Sequence, residues 1–267
     1  MKYFTYCIFT GIGALLFACQ EDIESAADNT DEVYAGELAT DEAMLEGEIE
    51  ELWQFSEEAA TSAENSRIQS SFCATRTVDI ENNTVVLDFG EGCIGPVYGR
   101  VRKGKVLVQY QGNRGDAEVG RTITFDNYSV NTYGVSGTIE ASREDSSVVV
   151  RTLTDLTITH PTGQTTVLSG TQRIEWLEGR GDGNWGNDLF EINGTISGSD
   201  RSGRTFTSTI VEPVVVNTGC DKYLRVSGVK EVTTERNQTY TINFGDGACD
   251  DVITVVTPRR AFEVTLR

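Results

Sequence analysis

Val148-Val149-Val150-Arg151-Thr152-Leu153-Thr154-Asp155-Leu156-Thr157-Ile158-Thr159-His160 runs through the turn Pro161-Thr162-Gly163 into Thr165-Thr166-Val167-Leu168-Ser169-Gly170-Thr171-Gln172-Arg173-Ile174-Glu175-Trp176-Leu177. Both runs are rich in Val, Ile and Thr, which suit a pleated, half-buried surface. The connection between them is far too short for the crossover that parallel strands need, so the two must run antiparallel. The same pattern extends in both directions. Further strands are expected at 85–89, 98–110, 121–130, 135–141, 189–197, 205–216, 224–234, 239–244, 252–256 and 262–266. Turn clusters separate them at 144–146, 199–203 and 235–237. The four prolines fall in or beside strand ends, where a missing N–H is tolerated.

Four strands carry a glycine in one context: Val135-Ser136-Gly137-Thr138, Leu168-Ser169-Gly170-Thr171, Ile192-Asn193-Gly194-Thr195 and Val226-Ser227-Gly228-Val229. A glycine inside a strand weakens it unless a bend, bulge or close approach uses it. Four of them predict strong coiling. The fold class read from these patterns is all-β: an antiparallel meander forming a strongly coiled sandwich or flattened barrel. One N-terminal amphipathic helix is expected to pack on it.

That helix is expected over 40–66. Thr40 can cap it, with Asp41 and Glu42 in the first turn. Leu45, Ile49, Leu52, Trp53, Ala59, Ala60 and Ala63 recur at helical spacing, and Glu46, Glu48, Glu50, Glu51, Glu57 and Glu58 fill much of the remainder. An acidic polar face suits solvent better than an anionic membrane surface. Residues 19–39, acidic and rich in small side chains, read as a disordered tether, and 67–267 as the β domain.

Net charge is −19, but it is unevenly spread. Residues 20–66 hold 16 acids and neither Lys nor Arg, whereas 67–267 hold 21 basic and 25 acidic residues. A polyanionic leader disfavours nucleic acid as a partner.

The chain has six cysteines. Thr84-Val85-Val86-Leu87-Asp88-Phe89-Gly90-Glu91-Gly92-Cys93 matches Thr239-Tyr240-Thr241-Ile242-Asn243-Phe244-Gly245-Asp246-Gly247-Ala248-Cys249. In each copy an earlier Cys is followed by a strand and a turn. Both cysteines of a copy then stand at the open end of one hairpin. Of the three connectivities open to four cysteines, this favours Cys73 with Cys93 and Cys220 with Cys249. No Cys-x-x-Cys spacing occurs, and a single histidine supplies a metal site poorly, so no metal or cofactor is implied.

The first residues carry an address. Lys2, the uncharged apolar run from Ile8 to Ala18, and Leu16-Phe17-Ala18-Cys19 have the parts of a secretory signal over 1–18. Ending on Ala-Cys, the segment resembles a bacterial lipobox. That resemblance implies lipid attachment at Cys19 and anchoring in a membrane by acyl chains. With the acidic residues 20–24, the two Phe-Gly turns and the hairpin cysteines, the chain resembles outer-membrane and surface lipoproteins of Bacteroidota (flavobacterial type). This implies an outer-membrane, cell-surface location and brings no activity with it.

Chemistry is sparse. His160 precedes a proline at a strand end and is expected in an exposed turn; no Gly-x-Ser-x-Gly elbow accompanies it. Asp182, Asn184 and Asp188 form a Gly-rich polar turn that resembles a calcium loop but lacks its full pattern. Trp185 stands at its tip and is the better candidate for stacking on a ligand; Trp176, inside a strand, is expected in the core. The expected function is therefore non-enzymatic: a lipid-anchored envelope β domain that binds a protein or glycan. A periplasmic assembly role and a carbohydrate-active enzyme are the alternatives.

Overall fold

The computed structural model describes residues 21–61, 73–95, 99–112, 120–182, 184–220 and 225–266, with the helix at side-chain level over 32–57. The signal segment, Cys19 and residues 62–72 lie outside the described residues. One helix, α1 (Glu21–Thr61), precedes thirteen strands. These are β1 (Thr75–Asp79), β2 (Thr84–Ile94), β3 (Val101–Tyr110), β4 (Arg121–Val130), β5 (Tyr133–Arg143), β6 (Val148–Thr159) and β7 (Thr165–Glu178). Then come β8 (Leu189–Ser199), β9 (Thr205–Asn217), β10 (Arg225–Thr234), β11 (Thr239–Asp246), β12 (Val252–Val256) and β13 (Ala261–Thr265).

The strands form one antiparallel meander in chain order, as the short connections predict. The sheet is single and does not close into a barrel, so β1 and β13 are its edges. The strand glycines lie at or beside register shifts. Gly137 has φ +112° and Gly228 φ +110°. A Cβ on Gly137 would fall 2.5 Å from the Asp155 carbonyl oxygen, and one on Gly228 2.4 Å from that of Pro213. Only glycine allows these bulges, and each bulge bends and twists its strand. The two hairpins expected to carry disulfides do so. Cys73–Cys93 closes β1–β2 with Cα atoms 5.8 Å apart, and Cys220–Cys249 closes β10–β11 at 5.4 Å.

The helix sits inside the coil of the sheet. From Glu48 to Ser56 every residue is buried, whereas a helix lying on a flat sheet would keep one side in water. Its neighbours come from strands spread across the whole sheet. Phe55 packs on Phe89 of β2, Trp53 on Trp176 of β7 and Tyr34 on Tyr240 of β11, while Gly36 faces Phe262 of β13. Leu45, Ile49 and Leu52 join Val85, Leu87, Val108, Ile123, Leu156 and Val214 in one core.

Three expectations about this region are corrected. The segment read as a disordered tether is helical from Glu21, and Tyr34, Ala35, Leu38 and Ala39 are buried. Its small residues are an apolar stripe that the enclosing sheet covers. Thr40 is not a cap: its hydroxyl donates to the Gly36 carbonyl, 2.8 Å, inside the helix. The helix accordingly runs Glu21–Thr61 in place of 40–66. The acids do not face solvent either. Asp41, Glu42, Glu46, Glu48, Glu50 and Glu51 are all buried against cations that point inward from the sheet.

This seam runs along the helix. Arg201 binds Asp41 with two nitrogens. Lys230 lies 2.6 Å from Glu46 and 3.4 Å from Glu42. Arg102 reaches Glu48 at 3.0 Å and also Glu51; Arg100 reaches Glu51 at 2.6 Å. Arg151 meets Glu50 at 2.8 Å and takes the Gln172 amide oxygen on its Nε. Burial alone would raise the carboxyl pKa values of Glu46 and Glu48. Lys230 and Arg225 overcome it at Glu46, which falls to about 2, and Arg102 and Arg100 hold Glu48 down. Glu51, buried beside the charge of Glu48, is pushed up to about 7.

Candidate functional site

Where the C-terminal part of α1 meets the β7–β8 connection, a cleft of about 260 Å³ opens. All three tryptophans of the chain line it: Trp53 from α1, Trp176 from β7 and Trp185 from a one-turn 3-10 helix, Trp185–Asn187. Each is placed by a different local cause. Trp53 belongs to the apolar stripe of α1. Trp176 alternates inward with Ile174 along β7, and its indole N–H donates to Asp188 Oδ2 at 2.9 Å. Trp185 is set by the polar loop around it. Asp182 accepts the Asn184 backbone N–H at 2.7 Å and the Asn187 amide at 2.8 Å, and Asn184 accepts the Gly186 N–H at 3.2 Å. Such side-chain caps fix a short turn without a metal.

The rings form a chain. Phe190 lies 5.0 Å from Trp176 and 6.0 Å from Trp185 between centroids. The Arg180 guanidinium sits 3.9 Å over Trp176, and that of Arg121 4.2 Å over Trp53. Trp176 is thus committed at its face and its N–H, and Trp185, half-buried on Phe190, keeps the more accessible ring. Gly179 (φ +85°) lets the loop pass against Asp188: a Cβ there would lie 2.5 Å from Asp188 Oδ1. Burial raises the Asp188 pKa. Burial, with repulsion from Arg143 and Arg121, pushes Arg180 down to about 10.

The four residues singled out in the sequence, Asp182, Asn184, Trp185 and Asp188, all line this cleft. Sequence reading did not bring Arg143, Arg180, Glu57 and Trp53 to this site; Trp53 and Glu57 were read only as parts of the helix pattern. His160 is elsewhere and is not exposed. It is buried 3.2 Å from Asp41 and edge-on to Tyr133, and its desolvation lowers its pKa despite the carboxylate. The α1 stripe carries Asp41 to that turn, which is why a residue before a proline is enclosed. Among the described residues no three His, Cys, Asp or Glu side chains group to hold a metal ion, and no helix is long and apolar enough to cross a membrane.

Comparison of the chain with protein-family models, curated proteins and solved structures found no match.

Proposed function

We propose that this protein is a lipid-anchored component of the cell envelope, attached through Cys19 at the outer membrane, whose β domain binds a small ring-shaped ligand in the tryptophan cleft. The observation that carries the binding half is the convergence of all three tryptophans on one opening. Tryptophan is a costly residue to leave on a surface, and aromatic walls with a few fixed polar groups are the usual make-up of a small-molecule site. The volume of about 260 Å³ lies just below the usual range of such sites, about 300–1,000 Å³, and suits one ring held on Trp185. The anchoring half rests on the lipobox resemblance, and its test is separate: Cys19→Ser should move the protein from the membrane pellet to the soluble fraction.

The cleft is tested by tryptophan emission, because no tryptophan lies outside it. Titration with a panel of monosaccharides and aromatic ring compounds should give a saturable change that Trp185→Ala removes. A panel without any saturable change overturns the cleft as the binding site.

A further inference from the structure

We infer that the cleft recognises its ligand through a carboxylate carried on a ring, taken by Arg180 and Arg143 while a face of the ring lies on Trp185. This rests on the cleft being the binding site and specifies the chemistry it selects. The argument is one of unspent hydrogen-bonding capacity. By formal charge the lining is nearly balanced, with Arg143 and Arg180 against Glu57, Asp182 and Asp188. The acids, however, are already engaged. Glu57 pairs with Arg121 at 2.8 Å, Asp188 accepts the Trp176 N–H, and both Asp182 oxygens accept within their own loop.

The two guanidiniums differ: Arg180 stacks on Trp176, but its hydrogen-bonding edge, like that of Arg143, is not spent on a carboxylate. Among the described residues, neither Arg143 nor Arg180 has a carboxylate within 4.0 Å, although the protein pairs most of its other inward-facing cations. Arg180 Nε is buried without a hydrogen-bond partner. A desolvated donor left unmade is costly, and an acceptor brought by a ligand removes that cost. A guanidinium over an indole offers its in-plane N–H groups at its edge, the geometry that matches the two oxygens of a carboxylate. The depressed Arg180 pKa agrees with a cation held in a dry place beside another of the same sign.

A sugar acid and an aromatic acid both supply this chemistry. The experiment therefore titrates the full mature protein with glucuronate against glucose, and benzoate against benzyl alcohol, by calorimetry and tryptophan emission. At least one acid should bind about tenfold or more tighter than its neutral partner, the worth of a charge-assisted hydrogen bond. Which pair discriminates identifies the source. Arg180→Met should bring the acid down to the affinity of its neutral partner. Arg143→Gln, at a less buried side chain, should show the same loss of selectivity if Arg180→Met does not fold. Neutral and acidic members binding equally would overturn the carboxylate while leaving the cleft as a site. If none of the four binds, the cleft reading fails and this one with it.

Discussion

Arg102 is 1% exposed and divides its guanidinium between Glu48 and Glu51, with the Tyr128 hydroxyl donating to Glu48 from the same side. Taking these charges out of water is expensive, and mutual pairing repays it only while the set is complete. Arg102→Met should therefore cost about 3–5 kcal/mol in a urea melt, because the two buried carboxylates keep only Arg100 of the two cations they share. Adding Glu48→Gln to it should recover part of that loss. Wild-type stability in the single variant would mean the seam does not form. The cations of this seam were legible one by one. Arg151 alternates inward with Val149 and Leu153, and Lys230 with Val232, so each sits on the apolar face of its strand. A cation in that register asks for a buried acid, and residues 20–66, with 16 acids and no Lys or Arg, held acids without cations of their own. Reading those acids as solvated followed the habit of charges at large. What sequence could not give was the enclosure, since an apolar stripe beside an acidic face is equally the pattern of a helix half in water.

At the scale of the element, α1 holds two opposite responses to acid. Glu51 titrates at about 7 in the folded protein against an ordinary 4.5. The native state therefore holds this proton when the unfolded chain has released it, and the group's contribution to stability is lost as pH rises from 4.5 through 7. Glu46, at about 2, behaves the other way: its contribution is present above 4.5 and is lost as pH falls toward 2. Of these two, only Glu51 changes charge between about pH 5 and 8. Glu51→Gln should flatten the decline in Tm across that range, measured by circular dichroism. A decline of unchanged slope would assign the titration to another group. The N-terminal half of the helix gives a further test. Leu38, 1% exposed, should cost about 2–5 kcal/mol as Leu38→Ala, whereas a disordered tether would tolerate the change. The strands were the more legible elements. Twelve of the thirteen were placed within a few residues, because β-branched alternation and short polar turns act locally. The cleft was half legible: its loop is one continuous segment with Asp, Asn and Trp in a Gly-rich turn, while Arg143 and Trp53 reach it only through the coiling of the sheet.

At the scale of the whole molecule, the open sheet and the helix are each incomplete. The sheet has no second sheet to pack on and no closure of its own; its inner face is filled by α1. Without the helix, Arg102, Arg151 and Lys230 would stand on an apolar concave surface with no acid to meet them. The two disulfides brace hairpins near the ends of the meander. For loops of 20 and 29 residues the chain-entropy model gives about 3–4 kcal/mol each, which stabilises the terminal hairpins but supplies nothing to the middle strands. The sheet should thus fail to fold by itself. Residues 73–267 produced alone, with disulfides formed, are expected to lack near-ultraviolet dichroism and a cooperative melt. Adding a peptide of residues 21–61 in trans should restore both, since the seam that fixes the helix is carried wholly in side chains and needs no covalent link. Replacing Glu46, Glu48 and Glu50 in the peptide by Gln should abolish the rescue. If the sheet alone melted cooperatively at the temperature of the intact chain, the helix would be an occupant of a preformed cavity and not half of the core.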